Sequence, residues 1–328
     1  MRSERDFIRR LQQAATRKRD DIQLDLGDDA AIVTPPPGRH LVVMSDALVE
    51  DVHFRRRYVP AEAIGHKALA ASLSDCAAMG ATPRYCLASL AIPPDAHALA
   101  ERIIAGLLAL ADRTQVALVG GDTTASPGGL FIDVALIGDI APACAVTRAG
   151  ARPDDFVFVS GTLGAAAAAL RAFERKLPPD PAAQARFLFP EPRLKLGQAL
   201  AKRQLASAMM DISDGLSTDI ARLCEASRVG AALEAEAIPI APAAAAIAGS
   251  PEAALHLALD GGEDYELLFT VAPKQVPAVL ELREQLAGEG VQLACIGRVT
   301  EGAAVMLRLA GATRPLQPGG YDHFMRSP

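Results

Sequence analysis

The chain has 328 residues, half of them apolar and 22% charged, with a formal net charge of −6; it is long enough to bury two domain cores and too apolar to be disordered. The acidic balance excludes a strongly cationic nucleic-acid surface, no apolar run reaches the ~20 residues of a membrane span, and five cysteines without CxxC spacing point to neither a disulfide framework nor a zinc site. The charged start MRSERDFIRRLQQAATRKRD is no secretory signal, so the expectation is a cytoplasmic protein with reduced thiols and neither nucleic acid nor membrane as a partner.

In chain order, apolar runs predict strands over residues 41–48, 85–92, 116–119 and 130–140, with helices over 61–79 and 95–114 between them. The turn-rich Arg152-Pro153-Asp154-Asp155 precedes a fresh strand over 156–160 and puts a domain boundary near Gly150, giving domains 1–149 and 150–328. The second half predicts helices over 163–175, 193–205, 214–227 and 274–287, and strands over 208–212, 231–237, 265–271 and 294–299. The Pro-rich 178–181 and the Ala/Pro stretch 239–250 read as loops. Strands and helices mix without a strict βαβ rhythm, which favours an α+β fold over a doubly wound sheet.

Carboxylates recur at the ends of these elements. Asp28 and Asp29 follow a glycine in GDDAAIV, Asp122 follows two in ALVGGDTTAS, and Glu263 and Asp264 follow two in ALDGGEDYELLF. Each alone reads as turn chemistry. Asp46, in the apolar run VVMSDALVEDVHF, and Asp75, in the small-residue helix AASLSDCAAMG, do not, because a charge there is costly unless paired or bound to metal. In MDISDGLSTDI, helix capping accounts for one of Asp211 and Asp214, but not for Asp211, which precedes the cap among Met209, Met210 and Ile212. Gathered carboxylates need a cation, and all-oxygen ligation suits Mg²⁺ bridging substrate phosphates. Glycine pairs beside the acids let backbone approach a phosphate. The pattern predicts Mg²⁺-dependent chemistry on a phosphorylated ligand, without a GxxxxGKS/T loop, a GxGxxG turn, an HEXXH motif or a nucleophile elbow.

From about residue 26 to 324 the motifs GDDAA, SDALVEDVHF, KALAASLSDCAAMGATP, VGGDTT, TRAGARPDD, MDISDGLSTDI, LDGGEDYELLF and GYDHF stand in one order. In that order they resemble the thiamine-monophosphate kinases, in the superfamily of aminoimidazole ribonucleotide synthetase and selenophosphate synthetase. The resemblance implies two α/β domains, an N-terminal mixed sheet that forms a barrel in a homodimer, and a C-terminal α/β sandwich. It implies in-line transfer of a phosphoryl group from ATP to thiamine monophosphate, assisted by several Mg²⁺ ions, as the last step to thiamine diphosphate. By motif, Asp29, Asp46, Asp75, Asp122 and Asp211 resemble Mg²⁺ ligands and Asp214 the ligand of a further ion. Gly121, Asp122, Arg148 and Ser213 resemble ATP contacts, and His53, Glu263 and Tyr321 the thiamine-phosphate pocket. Taken without the motif, His53 reads as a surface histidine, Arg148 as a solvated loop charge and Tyr321 as a packing residue. Met44-Ser45-Asp46 stands where many relatives read Ser-Thr-Asp, so Met44 offers no side-chain oxygen to Mg²⁺ there, and Arg113-Thr114 stands where they often carry aromatics. A sister enzyme of the superfamily, acting on a formylglycinamidine ribonucleotide or on selenide, and a non-enzymatic nucleotide sensor are the competing readings; DVHF and GGEDYE argue against the first, the lack of a cysteine before Cys76 argues against selenide chemistry, and the complete set of acids argues against the second.

Overall fold

Why the central strands hold their positions is visible in their alternation. In Phe131–Ile140, Ile132, Val134 and Leu136 are fully buried, while Phe131, Asp133, Ala135 and Ile137 between them are half-exposed. A pleated strand sends successive side chains to opposite faces, so this strand has one covered face and one open face. The computed structural model describes residues 4–15, 19–26, 28–321 and 323–324; Gly27 of GDDAA and Asp322 of GYDHF lie outside them. The chain forms two compact units, Met1–Cys76 with Ala81–Ala143, and Ala77–Gly80 with Cys144–Pro328. Among the described residues no helix is long and apolar enough to cross a membrane.

The first unit carries helices α1 (Glu4–Ala15), α2 (Ala61–Ala78) and α3 (Ala100–Thr114), and strands β1 (Ile22–Leu24), β2 (Ile32–Val33), β3 (His40–Val49), β4 (Thr82–Ile92), β5 (Ala117–Ala125) and β6 (Phe131–Ile140). β1 and β2 form a small antiparallel pair. The other four make a mixed sheet in the order β3-β6-β4-β5, antiparallel except for β4 with β5. α2 lies on the Val134 face, where Ser72 Oγ donates to the Val134 carbonyl at 2.8 Å. The opposite face leaves Leu41 53% and Val43 70% exposed. β5 runs straight through Gly120 and Gly121 to Ala125, whereas the glycine pair was expected to end it at Val119. The helix expected over 95–114 is a 3₁₀ turn, Pro94–Leu99, followed by α3.

The second unit has a seven-stranded sheet of β7 (Phe156–Ser160), β8 (Ala208–Ile212), β9 (Gly230–Glu234), β10 (Glu266–Val271), β11 (Leu293–Thr300), β12 (Val305–Leu309) and β13 (Ala312–Pro315). Their order is β13-β12-β9-β11-β7-β10-β8, antiparallel apart from β12 with β9. Its helices are α4 (Ala165–Glu174), α5 (Pro181–Leu188), α6 (Leu194–Lys202), α7 (Leu216–Ser227), α8 (Pro242–Ala248), α9 (Pro251–Asp260) and α10 (Val276–Leu286). Val157, Val159, Met210 and Leu268 pack with Leu216, Ile220, Leu223, Leu255 and Leu259 of α7 and α9. The alternate residues Phe158, Met209, Leu267 and Phe269 pack with Leu196 and Leu200 of α6 and Val279 and Leu282 of α10. The sheet is thus buried on both sides, which makes this unit an α/β sandwich and the chain an α+β fold.

In the second unit three helices occupy segments not expected to be helical, as α1 does in the first. α8 lies inside the expected loop 239–250, and α5 starts on Pro181, the last residue of the expected loop 178–181. α9 follows directly. Each begins with proline, whose fixed φ and missing N–H suit the first helical position. Asp180 Oδ1 accepts from Ala183 N–H at 2.9 Å and Ser250 Oγ from Ala253 N–H at 3.2 Å, so two of the three are also capped. The strand expected over 231–237 gives way after Glu234 to a 3₁₀ turn, and β12 and β13 were not anticipated.

Candidate functional site

In the first unit the register aligns Asp46, Val134, Ala88 and Gly121 in one row across the four strands, and Ala47, Asp133, Ser89 and Asp122 in the next. Asp46 therefore shares the helix-covered face of Val134. Its Oδ2 is buried with no hydrogen-bond partner. Burial pushes its carboxyl above the usual carboxylate range, the nearby Asp133 charge adds to this, and Ser72 partly offsets it. Asp75 sits one turn beyond Ser72 along α2, half-buried. Its charge adds to burial in pushing the Cys76 thiol up to about 12, which makes that cysteine inert.

Gly121 has φ +146, and a Cβ there would lie 1.9 Å from the Ala88 carbonyl oxygen, so only glycine fits beside β4. Asp122, next to it, is exposed and accepts from Thr123 N–H at 2.9 Å. Asp29 is exposed, with its own N–H donating to Asp28 Oδ1 at 2.9 Å. His53 is tied down: its Nδ1 accepts from Val49 N–H at 3.0 Å. The neutral ring accordingly carries its proton on Nε2.

In the second unit three of the sequence motifs converge on one loop. Glu263 N–H donates to the Ser213 carbonyl at 2.7 Å, Tyr265 N–H to Ile212 at 2.9 Å, and Tyr321 N–H to Asp214 at 3.2 Å. These bonds gather Asp211, Ser213, Asp214, Glu263 and Tyr321 around the end of β8 and the start of α7. Asp211 is 4% exposed in β8, opposite Leu267 of β10. Glu263 and Tyr265 both adopt left-handed φ, +67° and +50°. Paired non-glycine residues in that region mark a backbone held against its preference, as at many ligand sites. Between them Asp264 is 3% exposed; one oxygen accepts from Gly164 N–H at 2.8 Å and the other is buried without a partner. Burial pushes its carboxyl up to about 7. Glu266, also fully buried, is held below the usual range despite burial, because Arg193 and Arg186 bind it and Ser160 donates to it.

Capping of α7 differs from expectation. Asp214 does not cap it. Asp219, inside the first turn, accepts from Ser213, Asp214 and Gly215 N–H on one oxygen. Asp214 instead pairs with Arg222, which also reaches Asp219. Burial and the Asp214 charge push the Asp219 carboxyl up to about 6. Arg148 is exposed, and its carbonyl accepts from Ser227 Oγ at 2.8 Å. Tyr321 is 49% exposed, with its ring edge-on to His323. Asp133, Asp219, Arg222 and Asp264 were not singled out from sequence as site residues. The available signals were an acid in the first turn of a helix behind a glycine, and an acid–arginine pair at i, i+3.

Among the described residues no three His, Cys, Asp or Glu side chains are grouped closely enough to hold a metal ion by themselves. The donor set still fits Mg²⁺, which commonly takes one or two carboxylates and completes its shell with waters and substrate phosphates. The partnerless buried oxygen of Asp46 is the strongest single match.

This architecture defines a class of two-domain proteins: the family model "AIR synthase related protein, N-terminal domain" matches residues 27–140, and its C-terminal counterpart matches 152–309. Thiamine-monophosphate kinase of Escherichia coli is 37% identical over 310 residues, covering 93% of each chain. The crystal structure of thiamine-monophosphate kinase from Stenotrophomonas maltophilia is 38% identical, covers 94% of this chain and 96% of its own, and superposes with a TM-score of 0.82. AaThiL complexed with AMPPCP and TMP is 32% identical, covers 99% of each chain, and has a TM-score of 0.76. The chain belongs to the thiamine-monophosphate kinase family.

Proposed function

We propose that this protein transfers the γ-phosphoryl group of ATP directly to the phosphate of thiamine monophosphate, giving ADP and thiamine diphosphate in the cytoplasm. The observation that carries this reading is the convergence of MDISDG, GGEDYE and GGY on one loop, in a chain whose relative AaThiL is complexed with AMPPCP and TMP. The acceptor is already an anionic nucleophile, so positioning and charge neutralisation replace a strong general base.

Asp29, Asp46, Asp75 and Asp122 in residues 1–149, and Asp211 and Asp214 in residues 150–328, are the side chains that would hold Mg²⁺. Bound Mg²⁺ supplies the positive charge that lets two phosphate groups approach and offsets charge developing in transfer. Gly121 lets β5 lie flush against β4, so that main chain and Asp122 face a phosphate without an intervening side chain. Arg148 and Ser213 contact the nucleotide. His53 donates from Nε2, and Glu263 and Tyr321 complete the thiamine-phosphate pocket. Purified protein with ATP, Mg²⁺ and thiamine monophosphate is expected to form thiamine diphosphate, read by chromatography. No product, or full turnover in excess chelator, would overturn the reading.

The open face of the β3-β6-β4-β5 sheet supports a homodimer in which this face meets its copy. Burying residues such as Leu41 and Val43 is favourable at about 25 cal/mol per Å². Light scattering at micromolar concentration is expected to give twice the chain mass of 34.3 kDa; a monomer mass would refute the dimer.

A further inference from the structure

The turn before α7 offers three consecutive main-chain donors to one point. Ser213, Asp214 and Gly215 N–H reach Asp219 Oδ2 at 3.1, 3.2 and 3.1 Å. A concave run of N–H groups at a helix N-terminus is a natural anion site, and phosphates commonly use it. Here the chain fills that site with its own carboxylate, which is fully buried. The second oxygen of Asp219 accepts from Arg222 Nη1 at 3.1 Å, and the same nitrogen donates to Asp214. An ordinary cap stands ahead of its helix and satisfies one or two donors. Asp219 reaches back from within the first turn, satisfies three, and is linked through Arg222 to the carboxylate the turn presents. That carboxylate, Asp214, is 22% exposed.

We propose that Asp219 is a positioning residue: by occupying the donor nest of Ser213, Asp214 and Gly215 it fixes the Asp214 carboxylate for a divalent cation and denies those donors to a bare phosphate. The inference rests on the reading of Asp214 as a cation ligand. A phosphate approaching this turn then meets it through the cation that Asp214 holds, not through main-chain N–H groups, and Arg222 balances Asp214 until that cation arrives.

The test compares the full-length parent with Asp219→Ala and Asp219→Asn by melting curves. One series titrates Mg²⁺ at fixed non-hydrolysable ATP analogue; the other adds inorganic phosphate without metal. The Ala variant is expected to need roughly tenfold more Mg²⁺ for half of its ligand-induced shift, the scale seen when an outer-shell partner of a metal ligand is lost. It is also expected to gain a metal-free phosphate shift that the parent lacks. Asn keeps an acceptor for the three N–H groups and should stay within about threefold of the parent, since Asn and Asp cap helices about equally well. A merely structural Asp219 would lower the ligand-free melting temperature and leave both titrations alone. An Ala variant with the parent's Mg²⁺ requirement and no phosphate response overturns the proposal. If the Ala variant does not fold, amide exchange over residues 212–216 in the Asn variant decides: slow exchange is expected, and fast exchange with an unchanged Mg²⁺ response overturns it. A parent with no Mg²⁺-dependent shift at all refutes the proposed function instead, and the metal-free phosphate series still decides whether Asp219 blocks the nest.

Discussion

Asp46→Asn should move the metal-free and metal-bound proteins in opposite directions. In the metal-free chain the carboxylate is a burden: one oxygen is buried without a partner, burial disfavours its charge, and Asp133 repels it. A neutral amide of the same shape is less costly to bury than a carboxylate and removes the repulsion. A net gain of about 1 kcal/mol is the scale of one such polar mismatch, corresponding to roughly 2–4 °C in melting temperature for a unit of this size. With Mg²⁺ and a non-hydrolysable ATP analogue the parent is stabilised by ligand binding to the native state alone. The variant should lose most of that shift, because an amide does not supply the charge that balances a hard divalent ion. Turnover should fall by at least roughly a hundredfold, the upper range for disturbing a metal site. The assay is a pair of melting curves per protein, with and without ligand, alongside product formation. A retained ligand shift with normal turnover would remove Asp46 from the metal site; a metal-free loss of more than about 5 °C would make it a structural residue.

Asp211→Asn and Asp214→Asn should each keep a near-normal ligand-free melting temperature and lose the Mg²⁺·nucleotide shift; full shift and activity in both would leave them without a metal role. Burial holds the Asp264 carboxyl up at about 7 in the folded chain against about 4 unfolded, so its stabilising contribution is complete below about pH 4 and is lost as pH rises through about 7. The parent should therefore lose melting temperature between about pH 5 and pH 8 relative to Asp264→Asn, and parallel profiles would contradict the raised titration. Glu266→Gln should cost about 3 kcal/mol by leaving two guanidinium groups without their buried counter-charge, measured by urea unfolding; a loss below about 1 kcal/mol would mean that the pair is solvent-screened.

The strands Phe156–Ser160 and Ala208–Ile212 were legible to the residue, because each is a short apolar run closed by turn residues. The helices starting at Pro181, Pro242 and Pro251 were not, because proline serves both to break a helix and to open one; a capping side chain, Asp180 or Ser250, precedes the first and third, and Ala241 before Pro242 gives no such signal. β5 was truncated for a similar reason. Its two glycines looked like a stop, yet at Gly121 glycine is what lets the strand continue against Ala88. Of the site, the motifs that carry carboxylates were visible as motifs. The groups that hold them in place were harder to read: Asp219 left only its place in the first helical turn and its i, i+3 spacing to Arg222, and Asp264 acts by accepting a main-chain N–H bond from Gly164, which leaves no spacing to read.

The bridge at Glu266 also bears on how the chain folds. Its partners Ser160, Arg186 and Arg193 lie 106, 80 and 73 positions away. Contacts that distant form only after the intervening loops have closed, and loop closure is what delays nonlocal pairing. The bridge should then be made on the native side of the folding barrier. Interactions absent from the transition state act on the escape rate, so this carboxylate would slow unfolding while leaving refolding speed nearly untouched, and its contribution would be to the lifetime of the folded second unit.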